Sequence, residues 1–359
     1  MNTSTKTIFI ATMTAALFFG FLHLFVPGHN FERLHIFLFN LTGGGTIILM
    51  YTEERKSFSA GTAAFFMLSL LYAIAAFLRY YAFAAAIAVV LALVVEAIRV
   101  KRFAFSPADF FRGLASVQSK FHQAALLCLS LGLFISALVI LNHEYWKILS
   151  SPKLTLDVFF LGFSFPVSLI TMSVMFGMIQ ENGRLLVRIL KNISFWVVNL
   201  GVIIFFVFIL LEMLYAELAA AGALFIIVIV IFILYVRLGI QIQPKAFLTS
   251  GMSFLIMTAI TGIIYILMHV FIPQPAGGKL LLKLHALISL YGWNLNGLAV
   301  ICRNDDFPIK LHSGRVILFH WIIVTVIAPL GFYFRPMSVA AVMMYGAFLY
   351  VILFTRSSS

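Results

Sequence analysis

Apolar runs of about 20 residues recur from one end of the chain to the other, and this pattern limits the fold more than any motif does. Each run is long enough to cross a hydrocarbon layer of ~30 Å as a helix. Inside lipid a backbone must satisfy its own hydrogen bonds, so such a chain packs as helices. Twelve spans are read, at roughly 7–27, 33–51, 58–78, 80–99, 121–143, 156–178, 190–212, 215–237, 247–272, 281–302, 314–334 and 337–355. Of the 359 residues, 63% are hydrophobic and only 10% charged, which excludes a water-soluble domain of this size. The expected fold is an all-α polytopic membrane protein, with residues 1–359 forming a single membrane domain. The first run lacks a small-residue cleavage site and opens a serial pattern, so it reads as a helix rather than a signal peptide. Residues 101–120, which include Arg102, Pro107, Asp109, Phe110 and Phe111, read as an amphipathic connection lying on the membrane surface.

The formal charge of +12 does not mark a nucleic-acid binder. The basic residues sit in short loops between apolar runs, which is the usual bias of cytoplasmic loops. With twelve spans, one side carries only Arg33, Arg79, Lys147, Lys153, Lys279, Lys283 and Arg335 of the 24 Lys and Arg. The other side carries the remaining 17 and both termini. The expectation is a multi-pass protein of the inner (plasma) membrane with both termini cytoplasmic. Cys128 and Cys302 form no CxxC or CxxCH, so neither a disulfide framework nor covalent haem attachment is expected.

Three passages of the chain resemble one another. The first runs from Phe21-Leu22-His23 through Pro27 to Arg33-Leu34-His35. The second runs from Asn142-His143-Glu144 to Leu156-Asp157-Val158, and the third from Met268-His269-Val270 through Pro273 to Lys283-Leu284-His285. Each marks an odd span leaving at the outer face and an even span re-entering. Grouping the spans as 1–4, 5–8 and 9–12 gives three pseudo-equivalent four-helix units, at about 1–100, 121–237 and 247–356.

Among the nine histidines, His35 and His285 carry the functional expectation. They head equivalent spans, both toward the outer face. Neutral imidazole is a good ligand for haem iron, copper or zinc. Two imidazoles on facing helices can hold a flat haem between them, an arrangement with no open coordination position that suits electron transfer. At offsets of 4, 7, 8 and 11, His35 is followed by Phe39, Thr42, Gly43 and Thr46, and His285 by Ser289, Gly292, Trp293 and Asn296. Gly43 and Gly292 would let a macrocycle approach the backbone; the alternative is that they only allow close helix packing. Arg33, Lys279 and Lys283 would supply cations for propionates. His23, His269 and His143, or with them the loop residue His29, form a second candidate metal site or are simply interfacial. His320, inside span eleven, and Asp157, which replaces the histidine in the second unit, are intramembrane ionisable residues with no assigned role.

The architecture and the two histidines resemble the main subunit of the haem–copper oxidase superfamily. The closest likeness is to its nitric-oxide-reductase branch, on His35, Gly43 to Gly45, Tyr51, Glu53 and Glu54; NnrS-like membrane proteins share the architecture. Span six, Phe159-Phe160-Leu161-Gly162-Phe163-Ser164-Phe165-Pro166, looks like an oxidase segment whose histidine is absent. Span seven, Phe195-Trp196-Val197-Val198-Asn199, has no His-His pair, and span ten has one histidine where the family has two. The resemblance therefore implies a haem b held by His35 and His285, without a copper centre and without oxygen reductase activity. It implies electron transfer or a response to NO or redox state, with a periplasmic electron carrier or another membrane subunit as partner. Two rival readings are a secondary transporter with an outer-face metal or proton-coupled site, and a membrane scaffold without cofactor.

Overall fold

The computed structural model describes residues 1–26, 29–111, 115–149, 153–154, 158–272, 278–303, 311 and 313–355. Among the described residues, twelve helices are long and apolar enough to cross a membrane. They are α1 (Thr3–Phe25), α2 (Phe31–Thr52), α3 (Ala60–Phe77), α4 (Tyr81–Arg102), α5 (Val117–Trp146) and α6 (Phe160–Met178). The second half comprises α7 (Leu185–Leu210), α8 (Leu214–Leu238), α9 (Pro244–Phe271), α10 (Gly278–Cys302), α11 (Gly314–Gly331) and α12 (Arg335–Phe354). The protein is an all-α polytopic membrane protein. Each helix overlaps its expected span.

Local chemistry sets the helix ends. Asn2, Asn30, Ser59 and Ser116 each cap a helix by accepting a backbone N–H with the side chain. The α3–α4 and α7–α8 corners turn on residues with left-handed backbone, Arg79 at φ 64° and Glu212 at φ 59°. The next residue's N–H returns to a carbonyl five back, Tyr80 to Ala75 and Met213 to Phe208. These corners occupy the same place in the first and second units. Between the end of α4 and the start of α5, the described residues hold only a 3-10 turn at Pro107–Phe110. Rings pin it to α7, with Phe110 against Phe195 and Phe111 against Trp196, both at 5.3 Å.

Three helices form the centre. In α2, α6 and α10, 78% of the core window is buried, against at most 50% in any other helix. These are the second helices of the three expected units. They carry the polar and small residues that lipid would reject: Asn40, Thr42 and Thr46 in α2, Ser164 and Thr171 in α6, Asn294 and Asn296 in α10. Where the three meet, a Cβ added at Gly44 would stand 2.7 Å from Val167 and 3.8 Å from Leu298. A polar chain ties α6 to α10: Trp293 Nε1 donates to Ser168 Oγ (3.0 Å), Ser168 to Asn294 Oδ1 (2.8 Å) and Asn294 Nδ2 to Ser164 Oγ (3.2 Å). Outside these, α4 packs on α5, α8 on α9 and α12 on α1, closing the ring at three matching boundaries.

Each central helix also includes residues of a π-helical stretch, Phe37–Gly45, Val158–Ser164 and Ile288–Asn294. Such stretches break the regular ladder and are frequent at functional sites. His35 stands two residues before the first of them and His285 three before the last. Asp157, in the corresponding place of the second unit, lies outside the described residues, as does His312.

Candidate cofactor site

His35 and His285 are held in the same way. The Nδ1 of His35 lies 2.9 Å from the Ala16 carbonyl on α1, and that of His285 lies 2.9 Å from the Thr258 carbonyl on α9. A carbonyl can only accept, so in both rings Nδ1 carries the proton and Nε2 is left as a lone pair. Neither Nε2 has a hydrogen-bond partner among the described residues. One turn beyond each carbonyl is a glycine beside the ring. An added Cβ would stand 2.7 Å from His35 Nδ1 at Gly20 and 3.2 Å from His285 Cε1 at Gly262. A main-chain bond to one ring nitrogen that frees the other is the usual support of a ligating imidazole.

Each imidazole lines a cavity. That of His35 measures about 270 Å³ and is bordered by Gly20, Leu24, His23, Glu32, Lys279 and Lys283. That of His285 measures about 240 Å³ and has no Lys, Arg, Asp or Glu among its described lining residues, with Phe205, Val228, Ser289 and Trp293 in its wall. Phe160 of α6 is common to both linings. The two histidines therefore border adjoining cavities, not a single one. Lys283 and Lys279 stand at the His35 cavity, and Lys283 Nζ also lies 6.0 Å from the Phe332 ring centre.

Several expected positions fall elsewhere. Arg33 does not join His35; it lines a small separate cavity with Tyr72, Ser136, His143 and Glu144. Two residues along a helix turn the side chain by about 200°, so Arg33 and His35 face opposite ways. Gly43 and Gly292 do not open onto either cavity. A Cβ at Gly43 would meet Met13 at 3.3 Å, and one at Gly292 would meet Phe254 at 2.5 Å. They serve helix packing, and the glycines beside the imidazoles sit on the preceding helices, α1 and α9. The second metal site does not assemble. His23 Nε2 faces Glu32 at 3.7 Å, His143 Nδ1 faces Glu144 at 2.7 Å, and His269 Nδ1 donates to the Tyr265 carbonyl at 2.9 Å. These lie on different helix pairs because each histidine stands at the corner between a different pair of helices. Among the described residues, no three His, Cys, Asp or Glu side chains come together to hold a metal ion. The ring of His29 lies 5.7 Å from Phe31 and 6.1 Å from Phe77.

Two residues outside the expected set complete the site. Tyr291, in the π-helical stretch of α10, brings its hydroxyl to 3.0 Å from His35 Nδ1 and shares that proton with Ala16. The carbonyl of Tyr291 accepts from His320 Nε2 at 2.6 Å. His320 is fully buried, stacked on Phe348 at 4.5 Å, and its Nδ1 has no partner among the described residues. Tyr345 stands edge-on to Tyr291 at 5.1 Å. No sequence signal links Tyr291 to His35, which is 256 residues away. An intramembrane His320 was the visible sign of something unusual on α11. The chain matches no protein-family model, no curated protein and no solved structure.

Proposed function

We propose that the protein is a membrane haem b protein in which His35 and His285 supply imidazole ligands, serving electron transfer or a response to NO or redox state. One observation carries the reading: two histidines in equivalent positions are locked as the same tautomer by carbonyls of the preceding helices, each with an unpartnered Nε2 beside a cavity. The donor set suits iron in a porphyrin, since imidazole is a preferred axial ligand. Lys279 and Lys283 suit the carboxylates at a haem edge. Phe160 borders both cavities, so a single haem bound to both histidines requires that side chain to turn aside. A bound haem would supply a one-electron couple. The chain's own residues fix the imidazole protons, hold the rings against glycines and keep the site apolar.

On this reading the protein sits in the inner membrane with its termini in the cytoplasm and the histidines toward the periplasmic side. The partner is a periplasmic electron carrier or another membrane subunit. The test is the visible spectrum of the full chain purified after expression with ample haem, oxidised and reduced. A low-spin b-type spectrum is expected, lost in both His35→Ala and His285→Ala. A colourless, folded wild type rules the reading out. A spectrum that depends on one histidine alone replaces it with a five-coordinate haem and an open position.

A further inference from the structure

The two histidine cavities meet at one side chain. α10 shows a different face to each: Leu287 and Tyr291 border the His35 cavity, Ser289 and Trp293 the His285 cavity. Among the described residues, Phe160 of α6 is the only one that borders both. Volume makes this position decisive. At about 270 and 240 Å³, each cavity falls below the ~300 Å³ at which pockets for small molecules and cofactors begin. With the Phe160 ring out of the way the two together offer about 510 Å³, well inside that range.

The ring can yield where the backbone beneath it cannot. Two residues on, Gly162 packs directly on α5, where an added Cβ would stand 2.9 Å from the Gly132 Cα. Two residues along a helix carry the side chain to the far side, so Gly162 meets α5 while Phe160 points into the cavities. One turn beyond Phe160, Ser164 lines the His285 cavity and accepts from Asn294 Nδ2 at 3.2 Å, which ties the same face of α6 to α10. The partition therefore opens by rotation of the Phe160 side chain, not by displacement of the helix. In a helix such a side chain has two accessible χ1 settings, about 180° and about −60°. Phe160 is only half-buried, and its ring neighbour Phe206 on α7 is stacked at 6.3 Å. α7 lies at the rim of the bundle, with 22% of its core window buried, so Phe206 can give way.

We infer that Phe160 determines what this site accepts. With the ring in place there are two small compartments, one to each imidazole; with the ring turned aside there is one space that takes a flat macrocycle across both histidines. The inference rests on the haem reading. The experiment uses the full chain in neutral detergent, expressed without haem supply, titrated with hemin and followed by stopped-flow absorbance. In the wild type the observed rate should level off at high hemin concentration, because turning of the ring precedes binding. In Phe160→Ala the rate should keep rising with hemin and pass the wild-type plateau by about tenfold or more. In Phe160→Trp the larger ring should hold the compartments apart, so the low-spin spectrum gives way to that of a haem on a single histidine. Phe160→Leu, close in volume, guards against misfolding: it should unfold near the wild-type temperature and bind at a rate between those of the wild type and Phe160→Ala. Rates and spectra indifferent to residue 160, with low-spin hemin still requiring both His35 and His285, overturn the inference and leave the haem reading standing. Failure of every variant to take up hemin, Phe160→Ala included, overturns both.

Discussion

His35 and His285 spend their ring protons on Ala16 and Thr258, and the freed Nε2 atoms are what make them candidate ligands. The two glycines beside them are not equally tight. Gly20→Ala would bring a methyl 2.7 Å from a ring nitrogen that must keep its bond to Ala16, whereas Gly262→Ala would meet a ring carbon at 3.2 Å. Gly20→Ala is expected to lower stability by about 1–3 kcal/mol and to reduce haem retention, with a smaller effect for Gly262→Ala. Thermal unfolding and the absorbance ratio of haem to protein check both. Tyr291→Phe removes one of two partners of His35 Nδ1. It should cost about 1 kcal/mol and leave the haem spectrum in place, because Ala16 alone still sets the tautomer. Complete loss of the spectrum in Tyr291→Phe would show that the hydroxyl, not the carbonyl, governs His35. Both histidines were legible in the sequence, since an ionisable residue heading an apolar helix stands out. Gly20, Gly262 and Tyr291 were not, because glycine and tyrosine are ordinary in spans and only packing brings them to the rings.

The central helices depend on residues small enough to let backbones meet. At the α5–α6 crossing, Gly132 and Gly162 face each other, and a Cβ on Gly162 would stand 2.9 Å from the Gly132 Cα. Backbone cannot yield as a flexible side chain can. Gly132→Ala is therefore expected to lower the unfolding temperature, by the equivalent of about 1–3 kcal/mol. Gly222 in α8 has nothing within 4 Å of its virtual Cβ, so Gly222→Ala should be neutral or stabilise by up to about 1 kcal/mol. The reverse order in a thermal unfolding series would refute this account of the crossing. The twelve helices could be located from run length, with ends within a few residues. The π-helical stretches could not. The glycines and polar residues of Phe37–Gly45 and Ile288–Asn294 suit close packing of a regular helix equally well, and the wider turn answers to neighbours such as Phe254 against Gly292.

For the whole molecule, three central helices are enclosed by a ring that closes where α12 packs on α1. An even number of spans returns both termini to one side, and from the surplus of Lys and Arg we propose that this side is the cytoplasm. Reporter fusions at Met1 and at Ser359 should both read cytoplasmic; a periplasmic reading at either end would invert the orientation and move the histidines to the other face. Membrane class, helix number and orientation bias follow from the chain directly, because lipid imposes a length and an apolar threshold on each segment separately. The matched positions of His35 and His285 in a repeated corner were also readable there. The choice between one shared cavity and two adjoining ones, the turning away of Arg33, and the dispersal of His23, His143 and His269 were decided by tertiary structure alone. A side chain's direction depends on the rotation of its helix about its own axis, and that rotation is set by which glycines and polar residues the neighbouring helices bury.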